Sequence, residues 1–156
     1  MLKITIITIG KLKERAFLEL ENEYLKRLDP FAKIKIVEIP EIPYKKEKDA
    51  ARARRKEADS ISKHFTPGSL VVALDVKGKT ISTEKFANIM KSQASTGRNV
   101  IFVIGGSTGL DETIINKATW LLSLSEMTFT HNFSRVLLEE QIYRAGTIIA
   151  GKIYHK

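Results

Sequence analysis

Asn99-Val100-Ile101-Phe102-Val103-Ile104-Gly105-Gly106-Ser107-Thr108-Gly109-Leu110-Asp111-Glu112 is the stretch on which the reading of the fold turns. It opens with an apolar run of strand length. Two glycines end the run, and acidic residues follow that suit the first turn of a helix. A short, continuously apolar strand fits a sheet covered on both faces, which is the habit of parallel α/β sheets. Glycines at a strand-to-helix turn let a ligand lie against bare backbone, or they only close a tight turn. The loop alone leaves both readings open.

Working outward, the rest of the chain alternates in the same way. Residues 3–10 are rich in Ile and Thr and end at a glycine. Residues 14–30 carry Phe17, Leu20, Tyr24 and Leu28 at helical spacing, with Pro30 as the stop. Residues 33–40 read as a strand closed by Pro40 and Pro43, and 69–75 as a second buried strand. Between them, 44–65 form a charged surface helix whose apolar stripe is Ala58, Ile61 and Phe65. The segment Val76-Lys77-Gly78-Lys79-Thr80 reads as a turn, and Ser82 or Thr83 caps the next helix. A helix from Asp111 to about Thr119, an apolar strand at 120–125 and a last helix from about Asn132 to Ile149 complete the pattern. Five strands separated by helices predict an α/β fold with a mainly parallel sheet flanked by helices, in one domain over residues 1–156.

Composition narrows the function. The net charge is +8, from 26 Lys and Arg against 18 Asp and Glu, which favours a polyanionic partner, nucleic acid first. The basic run Lys45, Lys46, Lys48, Arg52, Arg54, Arg55 and Lys56 is diluted by Glu47, Asp49 and Glu57. It reads as a solvated face, with RNA phosphates as the alternative. There are no cysteines, so disulfides and thiolate zinc sites are excluded, and a cytoplasmic setting is expected. No apolar run approaches the ~20 residues of a bilayer span.

The glycine loop fits no phosphate cradle. A P-loop needs Lys and Ser or Thr after its last glycine, where this chain has Leu110 and Asp111. The dinucleotide fingerprint wants glycines at its first, third and sixth places. Here they fall at the first, second and fifth, although Glu126 stands at the distance of that fingerprint's acid. Residues 121–135 are more telling. Leu124, Met127 and Phe129, flanked by Ser125 and Thr128, can enclose a flat ring and bond its edge through backbone groups. Ligands of open α/β sheets collect at the C-terminal ends of strands. The ends of 69–75, 99–106 and 120–125 are therefore expected to share one pocket.

Taken together, "ITIITIGKLKE", "YLKRL", "VALDVKGK", "FVIGGSTGL", "LSLSEMTFTHNFSRVLLEEQIYRA" and the terminal "YHK" resemble the SPOUT methyltransferases. Within that superfamily the match is to the ribosomal RNA large subunit methyltransferase H family. The resemblance implies a C-terminal trefoil knot, S-adenosyl-L-methionine as cofactor, no metal, and a homodimer. It also implies a pseudouridine in a hairpin of large-subunit rRNA on the ribosome as substrate, methylated at N3. Cofactor positions carried over are Leu74, Gly105, Gly106, Leu124, Ser125, Glu126, Met127, Thr128 and Phe129. Candidates for proton transfer or substrate contact are His131, Arg135, Tyr154 and His155. Arg135 has a competing reading as an ion pair with Glu139, one turn on. The alternative function is a non-catalytic ribosome-binding factor with the same fold, and a nicotinamide enzyme is a second rival.

Overall fold

The computed structural model describes residues 1–154. Strands β1 (Leu2–Ile9), β2 (Ala32–Ile39), β3 (Leu70–Lys79), β4 (Asn99–Ile104) and β5 (Trp120–Leu122) form one sheet. Its order is β2-β1-β4-β3-β5, and every pairing is parallel. Helices α1 (Arg15–Leu28), α2 (Ala50–Ser62), α3 (Thr83–Thr96), α4 (Glu112–Lys117) and α5 (His131–Ile149) connect and follow the strands. A short 3₁₀ turn at Glu47–Asp49 leads into α2.

Alternation along β4 explains why the sheet is buried on both faces. Val100, Phe102 and Ile104 join Leu28, Phe86, Met90, Leu138 and Ile142 of α1, α3 and α5. Ile101 and Val103 point the other way, to Ala58 and Ile61 of α2 and Ile114 of α4. Period-2 side chains thus divide the helices into a set of α1, α3 and α5 and a set of α2 and α4. Parallel pairing puts every strand's C-terminal end on one edge, and the cavity described below opens there.

Two expectations change. On α1 the inward position is Glu21, 8% exposed, while Leu20 is 45% exposed. Glu21 turns inward because a buried arginine meets it there, as described below. The segment at 76–80 is more than a turn. Residues after Leu74 loop out from the ladder, and Lys79 returns to pair with Leu122. Asp75 Oδ1 accepts the Lys77 N–H at 2.7 Å and shapes this hook. A Cβ on Gly78 would stand 2.8 Å from the Leu121 carbonyl carbon, so only glycine fits.

Candidate active site

A cavity of about 620 Å³ opens at the C-terminal ends of β3, β4 and β5. Leu74, Asp75 and Val76 supply one wall, and Ile104, Gly105, Gly106, Ser107, Gly109 and Leu110 another. Residues 122–125 and 127–130 form the roof, and His131 and Ser134 at the start of α5 close the end. A smaller cavity of about 250 Å³ lies behind Leu124 and Phe129, which border both spaces.

The glycine loop is a tight hairpin. Gly109 N–H donates to the Gly106 carbonyl at 3.1 Å, and Gly109 holds φ +78°. Packing accounts for Gly105 and Gly106. A Cβ on Gly105 would lie 2.8 Å from the Gly109 carbonyl carbon. A Cβ on Gly106 would lie 3.0 Å from Ile9 Cγ2. The missing side chains make room for the protein's own packing, while the bare main chain still lines the cavity. Asp111 caps α4 by accepting from Thr113 N–H at 2.9 Å and Thr113 Oγ1 at 2.6 Å. Burial opposes its charge, but these bonds and the nearby Arg55 and Arg54 outweigh that and hold its carboxyl below the usual range.

The roof is built by serines. Ser123 Oγ donates to the Ser125 carbonyl at 2.7 Å, and Ser125 Oγ accepts the Met127 N–H at 3.0 Å. Ser123 N–H donates to the Lys79 carbonyl at 3.1 Å, fixing the roof to the β3 hook. Thr130 then caps α5 by accepting from Phe133 N–H. The main-chain N–H groups of Leu124, Thr128 and Phe129 have no partner among the described residues. Met127 and Phe129 are 75% and 40% exposed, so they are not core residues.

The arrangement fits a nucleoside-bearing ligand. The volume suits a small molecule, the walls Leu110, Leu122, Leu124 and Phe129 suit a flat ring, and the free N–H groups suit its polar edge. Asp75 and His131 are the ionisable side chains in the wall. No group of three or more His, Cys, Asp and Glu that could hold a metal occurs among the described residues.

Of the residues expected here, Leu74, Gly105, Gly106, Leu124, Ser125, Met127, Thr128, Phe129 and His131 line the cavity. Glu126 is exposed and does not. Arg135 is also absent from the wall. Its guanidinium is 4% exposed and bonds Glu21 at 3.0 Å and Glu38 at 2.8 Å. Burial disfavours its charge, but Glu21 and Glu38 more than restore it. Glu139 completes this cluster, 3.9 Å from Arg135 Nε and fully buried. Neither of its oxygens has a hydrogen-bond partner of good geometry. Burial, reinforced by the neighbouring Glu21 carboxylate, pushes Glu139 up to about 9. Tyr154 packs edge-on to Tyr143 and under Arg144, toward the C-terminal end of α5. The 19-residue helix, about 28 Å long, separates that end from the cavity. His155 lies outside the described residues. Sequence reading missed Asp75, Ser107, Ser123 and Ser134, whose only signal was their place at strand ends and a helix start.

Comparison with known proteins places this geometry in context. A family described as "Predicted SPOUT methyltransferase" matches residues 2–155. "Ribosomal RNA large subunit methyltransferase H" of Desulforamulus reducens is 44% identical over all of both chains. The protein of the same name from Caldicellulosiruptor saccharolyticus is 43% identical over 98% of this chain and 99% of that one. Among solved structures, a "Probable Methyltransferase from Bordetella pertussis Tohama I" aligns with TM-score 0.61 over 91% of this chain and 93% of that chain. At 13% identity it bears on the fold alone.

Proposed function

The chain belongs to the SPOUT methyltransferase family, and on that premise we propose that the cavity at the ends of β3, β4 and β5 is its active site. The protein is an S-adenosyl-L-methionine-dependent methyltransferase of large-subunit ribosomal RNA. We read its product as N3-methylpseudouridine in a hairpin, made on the ribosome in the cytoplasm by one methyltransferase unit over residues 1–156. The observation that carries the site is the roof: unpaired N–H groups of Leu124, Thr128 and Phe129 over a largely apolar cavity.

Bound there, S-adenosyl-L-methionine supplies an activated methyl group on a sulfonium. Leu74, Gly105, Gly106 and the 124–129 segment would bind and orient it, with Glu126 kept at the solvent rim. Orientation is the protein's main contribution, since positioning reactants is worth ~7–11 kcal/mol. A general base adds less, typically 10²- to 10⁴-fold in rate. His131 stands at the cavity end, where it can take the imide proton or hold the substrate base. Arg135 acts beneath the site, holding α5 against α1 and β2 through Glu21 and Glu38.

We assign Tyr154 to a tail that completes the pocket of a partner subunit, because α5 keeps it from its own. Exposed apolar side chains on α1 and α5, among them Leu20 and Phe133, support a homodimer. The bond from Ser123 N–H to the Lys79 carbonyl, which ties the roof to the β3 hook, is compatible with a knotted C-terminal region. The test is mass spectrometry of rRNA from cells with and without the gene. Loss of one methylpseudouridine on deletion is expected. An unchanged set of methylated nucleotides would favour the non-catalytic ribosome-binding factor.

A further inference from the structure

The arginines of α1 and α5 differ from the basic run around α2 in how they are paired. On α1 and α5 the arginines are tied to carboxylates one turn away: Arg15 to Glu19 at 2.6 Å, Arg27 to Glu23 at 2.7 Å, Arg144 to Glu140 at 2.6 Å. Residues 44–63 hold eight Lys and Arg against four Asp and Glu. One of those acids, Glu57, is buried and accepts the Ile42 N–H at 2.9 Å, so it faces inward. Lys45, Lys46, Lys48, Arg52 and Lys56 are exposed, and none forms an ion pair among the described residues.

Lys48, Arg52 and Lys56 follow one another at four-residue intervals on one side of the 3₁₀ turn and α2. Like charges at that spacing repel by ~0.2–0.5 kcal/mol per pair, a cost that a polyanion lying on the face would remove. The same segment is fastened to the cavity. Arg54 Nη1 lies 3.5 Å from the Thr108 carbonyl, and Arg55 Nη1 lies 3.7 Å from Asp111 Oδ1. Glu41, just before it, accepts from Ser107 Oγ at 2.9 Å. Ser107 and Gly109 of that hairpin line the cavity.

We propose that the outer face of α2 and the 45–48 turn form the phosphate-docking surface for the RNA whose base enters the cavity. This rests on the rRNA methyltransferase reading. Charge complementarity and the tether to the glycine hairpin point to nucleic acid passing the cavity mouth, whereas the arginines of α1 and α5 are already neutralised.

The test compares three proteins for binding to purified large ribosomal subunits across a salt series: wild type, the triple variant Lys48→Glu/Arg52→Glu/Lys56→Glu, and a charge-matched control, Lys33→Glu/Lys35→Glu/Lys91→Glu. The α2 variant should bind at least tenfold more weakly. Its log–log salt slope should be shallower by about 2–3, since each phosphate that a cation neutralises accounts for ~0.7–0.9 of the slope. Its affinity for S-adenosyl-L-methionine and its circular dichroism should match wild type, and the control should keep the wild-type slope. Equal slopes for wild type and the α2 variant, or an equal loss in the control, would overturn the docking surface while leaving the methyltransferase reading intact. A wild-type protein that neither binds subunits nor methylates their RNA would bring down both.

Discussion

The cavity and the charge cluster beneath it meet at adjacent residues of α5, and they are built from opposite materials. Ser134 borders the cavity, where bare main chain, serines and apolar side chains predominate. Arg135 and Glu139 face inward to Glu21, Glu38 and Thr8, the densest group of charges in the core. Charge here serves the fold, and backbone lines the proposed site. A sulfonium donor already carries its activation, so its pocket needs shape and direction more than it needs a cluster of ionised side chains.

The contrast can be broken most forcefully at Arg135. Replacing it with alanine leaves Glu21 and Glu38 without their cation and should cost ~3–5 kcal/mol of stability in denaturant unfolding. If Arg135→Ala stays as stable as wild type but loses methyl transfer, the arginine belongs to the chemistry. Glu139 tests the same cluster through pH. Its folded-state value of about 9 lies above the ordinary 4.5, so the native protein holds a proton that the unfolded chain releases. Stability should therefore fall as pH rises from 4.5 towards 9, by up to ~1.4 kcal/mol per unit. Glu139→Gln keeps the size of the side chain without its titration and should flatten that slope in chemical unfolding between pH 5 and 8. An equally steep slope in the variant would place the titrating group elsewhere.

On the cavity side the effects are smaller and separable. Gly105→Val forces a side chain against the Gly109 backbone and should lower stability by about 1–3 kcal/mol, read as a drop in Tm. An unchanged Tm would mean that the hairpin yields freely. Thr128→Pro removes one roof N–H. It should weaken S-adenosyl-L-methionine binding by calorimetry about tenfold, ~1.4 kcal/mol, with little change in Tm. Undiminished affinity would show that this N–H does not meet the ligand.

Much of this was legible in the sequence. The alternation of strand and helix, the shared pocket at three strand ends and the roof at 124–129 follow from local pattern and from the rule that parallel sheets bind at their C-terminal edge. What escaped was non-local. The pairing of Arg135 with Glu139 is an i,i+4 matter and could be foreseen, but its closer partners lie 114 and 97 residues away on α1 and β2. The same distance in sequence hid the inward turn of Glu21, since apolar character favours Leu20. The hook in β3 escaped because Gly78 reads as a turn former, and the backbone of β5 that crowds it comes more than forty residues later. Gly105 and Gly106 line the cavity, but the atoms that a side chain there would meet belong to residues the local pattern does not point to, Gly109 and Ile9.

Amide hydrogen exchange of residues 123–130, followed by mass spectrometry with and without S-adenosyl-L-methionine, asks directly whether the roof main chain holds the donor. Exchange in that segment should slow at least tenfold when the ligand is bound, with a lesser effect at 105–109. Tight binding that leaves 123–130 exchanging at the free rate would contradict this account of the site.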